Sequence, residues 1–122
     1  MNFFLQEFPR NLSLELSDVV QVLDENASWP NANSPGIYVM LDQSMNLLYI
    51  GKASCGANIG RRLGKYFDKT GKTRSGMEKF IEVKYVSAIP VPPERAFEVP
   101  SIEEYLISKL NPTLNVAGRV RE

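Results

Sequence analysis

Two short stretches near the middle of the chain, residues 36–42 and 47–51, are mostly apolar, and a largely polar segment separates them. Both stretches are rich in β-branched and aromatic residues, which favour strands. Three of the four residues 43–46 between them are polar, as is typical of a turn, so the pattern predicts a β-hairpin. With a four-residue loop, the cross-strand pairs are Tyr38 with Gly51, Met40 with Tyr49, and Asp42 with Leu47. Tyr38 and Tyr49 then become diagonal neighbours on one face of the hairpin.

Three further stretches predict regular structure. Apolar residues recur at helical spacing through residues 59–67 and predict a helix. Residues 79–88 read as the third strand, which the prolines at 90, 92 and 93 end. Ser101 and Glu104 form the pattern of a capping box and predict a helix that ends near residue 111. Residues 14–23, with Ser17 as a candidate N-cap, predict one more short helix.

The composition restricts the chemistry more than the fold. The chain has 122 residues, enough for one domain with one core, and 43% of them are hydrophobic. We expect a cytoplasmic protein, because no apolar run has membrane-spanning length and no cationic signal sequence opens the chain. The chain has no histidine and one cysteine, which argues against a zinc site and excludes an internal disulfide and histidine-dependent nucleophiles. Any metal should therefore be a hard, oxygen-bound ion.

The charges are unevenly distributed although the net charge is zero. Residues 1–50 hold one positive and six negative side chains, and residues 85–122 hold four positive and five negative. The middle segment, residues 51–84, holds nine positive and three negative side chains, a net charge of +6. Such a segment is either a phosphate-binding surface or a solvated lysine-rich face.

Two charged residues lie beside apolar helix faces. Arg62 lies at the edge of the apolar stripe, one turn from Tyr66, whereas Arg61 projects from the opposite side. Arg62 either reaches a shared site or runs along the apolar face into water. Glu103 falls inside the apolar arc of the last helix, where a carboxylate is costly unless it is paired or binds a cation. A core ion pair and a metal ligand both remain open for Glu103.

The predicted hairpin carries two triplets, Gly36-Ile37-Tyr38 and Tyr49-Ile50-Gly51, with ten residues between them. Together they resemble the signature of the GIY-YIG nuclease superfamily, and the chain is similar in particular to the nuclease domain of the bacterial nucleotide-excision-repair endonuclease. The resemblance implies an α+β fold, a small three-stranded antiparallel sheet flanked by helices. It divides the chain into an N-terminal extension packed on the core (1–34), the nuclease domain (35–117) and a C-terminal tail (118–122).

The resemblance also implies a site. The family's arginine falls on Arg62 before Tyr66-Phe67, and its metal-binding glutamate falls on Glu103, which opens a Glu-x-x-Leu-Ile run. Its asparagine falls on Asn115, which closes a Pro-x-x-Asn run. The residues with an implied catalytic role are Tyr38, Tyr49, Arg62 and Glu103. Those with an implied role in binding or positioning the substrate are Lys52, Lys65, Tyr66 and Asn115.

The implied reaction is hydrolysis of a phosphodiester with one Mg²⁺ or Mn²⁺ ion on Glu103. Either Tyr38 or Tyr49 would act as the base. DNA is expected ahead of RNA, no membrane is involved, and a homodimer or a separate DNA-targeting partner is an option. Two other functions stay open: a nucleic-acid-binding module of this fold that is weakly active or inactive, and a protein-interaction domain.

Overall fold

The computed structural model describes residues 20–21, 29, 32–54, 56–68 and 70–115. Its strands are β1 (Val20–Gln21), β2 (Gly36–Leu41), β3 (Leu47–Ala53) and β4 (Tyr85–Pro90). They form one antiparallel sheet in the order β1-β4-β2-β3. The helices are α1 (Ile59–Leu63) and α2 (Val99–Leu110), and 3-10 turns cover Glu78–Phe80 and Pro93–Glu98. The predicted α+β class is confirmed, with β1 as a short addition to the three main strands.

The hairpin of β2 and β3 has the predicted register over most of its length. Tyr38 pairs with Gly51 and Met40 with Tyr49, as predicted. The predicted pair of Asp42 with Leu47 is wrong, because a bulge after Met40 makes Leu41 the partner of Leu47. Asp42 instead closes the turn, where its carboxylate accepts hydrogen bonds from the backbone N–H groups of residues 44 and 46. The bulge thus leaves the positions of both tyrosines unchanged.

The sheet has a core on each of its two faces. β2 is buried along its whole length, because it lies between β3 and β4 and both faces of the sheet are covered. On one face, Ile59 and Leu63 of α1 pack in a cluster that includes Tyr38. On the other face, Ile102 and Leu106 of α2 pack in a second cluster. The side chains of β2 and β3 therefore divide between two layers according to the alternation of a strand.

Several predicted boundaries were wrong. β4 begins at residue 85 rather than 79, and α1 ends at Leu63, where Gly64 is the cap. The capping box is absent, because α2 begins at Val99 and Ser101 already lies inside its first turn. Pro100 permits this earlier start, since a backbone N–H has no helical partner in a first turn. Of the predicted helix at 14–23, residues 20–21 form β1 and the others lie outside the described residues.

The segments that flank the core are described only in part. β1 pairs with β4, and Trp29 packs against Phe67 with 5.9 Å between the ring centroids. The predicted boundaries at residues 34 and 117 remain predictions. Within the described part of the chain, no helix is long and apolar enough to cross a membrane.

Candidate active site

Three tyrosines meet on the face of the sheet that α1 covers. Tyr38 on β2 and Tyr49 on β3 have ring centroids 6.4 Å apart, so the predicted diagonal pair is confirmed. Tyr66 follows α1, and its ring lies 6.0 Å from that of Tyr38 and 6.2 Å from that of Tyr49. The hydroxyls of Tyr38 and Tyr66 share a hydrogen bond of 2.8 Å. We call Tyr38, Tyr49 and Tyr66 the tyrosine cluster.

The Tyr38 ring lies directly on Gly51. A Cβ atom at position 51 would be 2.2 Å from Cζ of Tyr38 and 2.4 Å from its hydroxyl oxygen. The Tyr38 side chain is completely buried, so it has no free space into which it could retreat. Only glycine at this position leaves room for the ring. Gly51, the last residue of the second triplet, is therefore required because the Tyr38 ring occupies the space of a Cβ atom.

Phe80 supports the tyrosine cluster from the 3-10 turn. Its ring lies edge-on to Tyr49 at 5.1 Å and to Tyr66 at 4.7 Å. The sequence prediction missed Phe80 because residues 79–88 were taken as one strand. A broken alternation could have revealed the error, since a strand would place Phe80 on the same face as the charged residues at 82 and 84.

Arg62 lies beside the tyrosine cluster, whereas Arg61 is exposed to solvent. Arg62 is half-buried, and its Nε atom is buried with no hydrogen-bond partner in the described residues. Burial lowers the pKa of the Arg62 guanidinium, but interactions with Tyr38, Tyr66 and Tyr49 outweigh it and raise the pKa overall. A guanidinium stays charged at neutral pH and can donate hydrogen bonds to a phosphate oxygen.

Burial determines the protonation of the three phenols. It raises the pKa of Tyr38, and the hydrogen bond with Tyr66 offsets this only in part. Burial also raises the pKa values of Tyr49 and Tyr66, and the mutual interactions of the tyrosines raise them further. All three side chains are therefore neutral phenols at neutral pH in the protein alone. Any base among them needs additional positive charge nearby before it can lose its proton.

Glu103 approaches from the other layer. It lies on α2, and its Oε1 atom is 3.3 Å from Nζ of Lys52 on the edge strand β3. Lys52 follows the alternation of β3 and thus lies on the face opposite to Tyr49. The negative charge of Glu103 nevertheless contributes to the raised pKa of Tyr49, after burial and the influence of Tyr66. Glu103 is therefore electrostatically connected to the tyrosine cluster across the edge strand.

Glu103 offers a single carboxylate to a metal ion, which limits the kind of ion that it could hold. The side chain of Glu103 is 18% exposed, and its contact with Lys52 is longer than the 2.7–2.9 Å typical of such pairs. An ion pair, one of the two roles left open for Glu103, is therefore present. It lies near the surface rather than in the core, and ion pairs at the surface stabilise a protein by about 0–1 kcal/mol. In the described residues, no three Asp, Glu, Cys or His side chains gather around a possible ion. One carboxylate fits Mg²⁺ or Mn²⁺, because Mg²⁺ keeps several waters and takes substrate phosphates as further ligands.

Asn115 acts on the backbone of β3. Its Oδ1 accepts a hydrogen bond from Ile50 N–H, and its Nδ2 donates one to the Ile50 carbonyl, each at 2.8 Å. Ile50 lies between Tyr49 and Gly51, so Asn115 fixes the strand that carries both. Asn115 is buried, and both the oxygen and the nitrogen of its amide bind the backbone of Ile50. Lys65 is exposed in the turn after α1 and makes no described contact with the tyrosine cluster.

The structure thus separates the predicted site residues into groups. Tyr38, Tyr49, Tyr66 and Arg62 come together on one face, while Lys52 and Glu103 form a pair at the edge strand. Asn115 supports the strand between these groups, and Lys65 lies apart. The roles assigned to these residues in binding and catalysis remain predictions.

Comparison with known proteins gives a consistent match. The family model of the UvrC-like GIY-YIG domain matches residues 34–116. The chain is 34% identical over 110 residues, 88% of its length, to the UvrABC system protein C of Flavobacterium psychrophilum. It is 37% identical over 87 residues, 69% of its length, to the protein of the same name from Dichelobacter nodosus. The matched parts are 15% and 13% of these relatives. The chain therefore belongs to the UvrC-like GIY-YIG domain family.

Proposed function

We propose that this chain is an endonuclease that depends on a divalent metal ion and hydrolyses phosphodiester bonds in DNA. One observation supports the proposal above the others: the tyrosine cluster and Arg62 meet in one place, with the Glu103 carboxylate across the adjoining edge strand. These are the positions that the family motifs single out. A phenol that can act as a base, a fixed cation and a carboxylate that can hold a metal ion are groups that metal-assisted phosphodiester hydrolysis can use.

Arg62 would neutralise the charge of the scissile phosphate. Its guanidinium interacts with the phenols of the tyrosine cluster, and its buried Nε has no partner among the described residues. A donor that is fixed before the substrate arrives stabilises the developing charge without reorganisation. Lys52 is 40% exposed at the edge strand and can exchange its long contact with Glu103 for a phosphate oxygen.

Tyr49 is the phenol we propose as the base. Tyr38 is completely buried, and its hydroxyl is already bonded to Tyr66, whereas Tyr49 is only half-buried. A water molecule can therefore reach Tyr49 more readily. Tyr38 and Tyr66 would hold the ring of Tyr49 in place, which fixes the direction of its hydroxyl.

Glu103 would hold one Mg²⁺ or Mn²⁺ ion through its carboxylate. When bound, such an ion polarises the phosphate and stabilises the leaving oxygen. The chain has zero net charge, which gives little general attraction to DNA. We therefore include in the proposal that a second copy or a separate DNA-targeting partner supplies part of the affinity.

The direct test is a cleavage assay with purified protein and a panel of labelled DNA and RNA molecules that includes duplex, branched and single-stranded forms. Each is incubated with Mg²⁺, with Mn²⁺ and with a chelator. We expect DNA products that require the metal ion. DNA binding without any metal-dependent product would instead favour an inactive binding module. If neither binding nor cleavage is found, the chain has another role, such as protein interaction.

A further inference from the structure

Lys79 extends over the rim of the tyrosine cluster. It lies in the 3-10 turn Glu78–Phe80, beside the residue that supports the cluster from below. Its Nζ atom is 5.9 Å from the ring centroid of Tyr49 and 5.1 Å from that of Phe80. The side chain is exposed, so the ammonium group is accessible from solvent. A cation is thus fixed above the most accessible tyrosine of the site.

No carboxylate neutralises Lys79 within the described residues. The ion pairs found there join Lys52 to Glu103 and Arg95 to Glu98. The adjacent Glu78 accepts a hydrogen bond from the backbone N–H of residue 76 instead. Lys79 therefore differs from Lys52, the other lysine near the site, which is already engaged by an acid.

The contacts that hold Lys79 are easily exchanged. A cation over an aromatic ring at an exposed site is a weak contact. A hydrogen bond between an ammonium group and a phosphate oxygen is stronger. The ammonium would therefore move from the rings to a phosphate oxygen that comes within its reach. The rings keep the side chain near this position until the phosphate arrives.

We propose that Lys79 binds a backbone phosphate of the nucleic acid, next to the phosphate that reacts. The strand would lie across Tyr49, with its reacting phosphate near Arg62 and a neighbouring phosphate at Lys79. This proposal rests on the proposed function in one respect, the identity of the substrate as a nucleic acid. It concerns binding alone and does not require that the chain cleaves its substrate.

Salt dependence of binding is the measurement that isolates a phosphate contact. The dissociation constant of a short fluorescein-labelled DNA duplex is measured by anisotropy, in EDTA, over a series of NaCl concentrations. Each phosphate that a lysine neutralises adds about 0.9 to the slope of log K against log salt. Lys79→Ala should lower the slope by about that amount and weaken binding by roughly tenfold. Lys79→Arg should restore the slope.

Lys109 provides a matched control. Its Nζ atom lies 5.8 Å from the ring centroid of Tyr105, so it is also an exposed lysine over a tyrosine, and it makes no described contact with the tyrosine cluster. Lys109→Ala removes the same charge and the same type of contact. We expect its slope to equal that of the unchanged protein. Equal slopes for Lys79→Ala and Lys109→Ala would overturn the proposal.

The outcomes also separate this proposal from the nuclease. If the protein cleaves DNA but Lys79→Ala has the same salt slope as the unchanged protein, the proposed role of Lys79 is wrong and the proposed nuclease activity is supported. If Lys79→Ala lowers the salt slope but the unchanged protein never cleaves DNA, the proposed phosphate contact is supported and the proposed nuclease activity is wrong. If the unchanged protein binds no nucleic acid, both proposals are refuted.

Discussion

Gly51→Ala tests how tightly the tyrosine cluster is packed on the hairpin. The new Cβ would lie 2.2 Å from Cζ of Tyr38, whereas ordinary contacts of a Cβ begin at 3.4 Å. The ring must therefore move by more than 1 Å. It is completely buried and bonded to Tyr66 at 2.8 Å, so a shift of this size breaks that hydrogen bond.

The expected cost follows from these contacts. Forcing an extra methyl group into a packed core costs about 1–3 kcal/mol. Losing the buried hydrogen bond costs a further 1–3 kcal/mol or so, since a buried hydroxyl is left unpaired. Replacing glycine by alanine restricts the unfolded chain, which returns about 0.4–1 kcal/mol. The free energy of unfolding should therefore fall by roughly 1–5 kcal/mol.

Urea unfolding, followed by circular dichroism and by the fluorescence of Trp29, measures this change. Gly64→Ala is the matched control. Its backbone is helical, with φ of −63°, and the nearest atom to a Cβ there is 3.4 Å away. That variant should be unchanged or more stable by about 0.4–1 kcal/mol. The comparison separates the effect of the Tyr38 ring from that of removing a glycine.

A double-mutant cycle assigns the cost to the ring itself. In a Tyr38→Ala background the obstructing ring is absent, so Gly51→Ala should cost no stability there. The two changes would then be strongly non-additive, as expected for groups in direct contact. A Gly51→Ala variant as stable as the unchanged protein would refute the packing described here. So would an equal cost in both backgrounds.

Three further predictions concern the same residues. Burial raises the pKa of Tyr38 above its unfolded value of about 10, so the stability that this group contributes is complete below pH 10 and is lost as pH rises through the folded pKa. Tyr38→Phe should make the alkaline decline in unfolding free energy shallower, by up to about 1.4 kcal/mol per pH unit, and an unchanged slope would contradict this. Asn115→Ala leaves both backbone groups of Ile50 unpaired and should cost roughly 1–3 kcal/mol in urea unfolding, whereas Asn33→Ala at an exposed position should cost less than about 0.5 kcal/mol. Tyr49→Phe should slow DNA cleavage by about 10²–10⁴-fold at saturating metal, and a rate equal to that of the unchanged protein would exclude Tyr49 as the base.

The hairpin and the site residues on it could be predicted because their determinants are local. Strand alternation places Tyr38 and Tyr49 on one face, and the polar turn fixes the register to within one bulge. Gly36 and Gly51, the glycines of the two triplets, are each required by a close contact within the sheet. A Cβ at position 36 would lie 2.2 Å from the Ile89 carbonyl oxygen, just as one at position 51 meets Tyr38.

The segments that could not be predicted depend on distant contacts. Residues 79–80 were predicted as the start of the third strand, but they belong to a 3-10 turn from which Phe80 packs against Tyr49 and Tyr66. The turn that presents Tyr66 is held by the segment that follows it, since Arg74 N–H donates to the Tyr66 carbonyl at 2.8 Å. The helical spacing of apolar residues predicted a helix as far as residue 67, whereas α1 ends at Leu63. The broken alternation at residues 80, 82 and 84 argues against a strand, but no local pattern shows that Phe80 and Lys79 contact Tyr49.

The pair of Lys52 and Glu103 shows what sequence reasoning can and cannot decide about a charge. The helical pattern identified Glu103 as a carboxylate on an apolar face and left open an ion pair or a metal ligand. The structure contains a long, partly exposed ion pair. Such a pair is weak enough for Lys52 to give way to a cation. The position of Glu103 is therefore compatible with an ion pair and with a metal ligand, and the metal dependence of its variants distinguishes the two roles.

The proposed nuclease depends on the claim that Glu103 supplies the metal-binding carboxylate of the site. The most direct test compares Glu103→Gln with Glu104→Gln, its exposed neighbour on the same helix, in a DNA cleavage assay titrated with Mg²⁺. The claim predicts that Glu103→Gln abolishes metal-dependent cleavage, or requires far more Mg²⁺, while Glu104→Gln cleaves like the unchanged protein. Equal cleavage and equal Mg²⁺ dependence in both variants would contradict the claim.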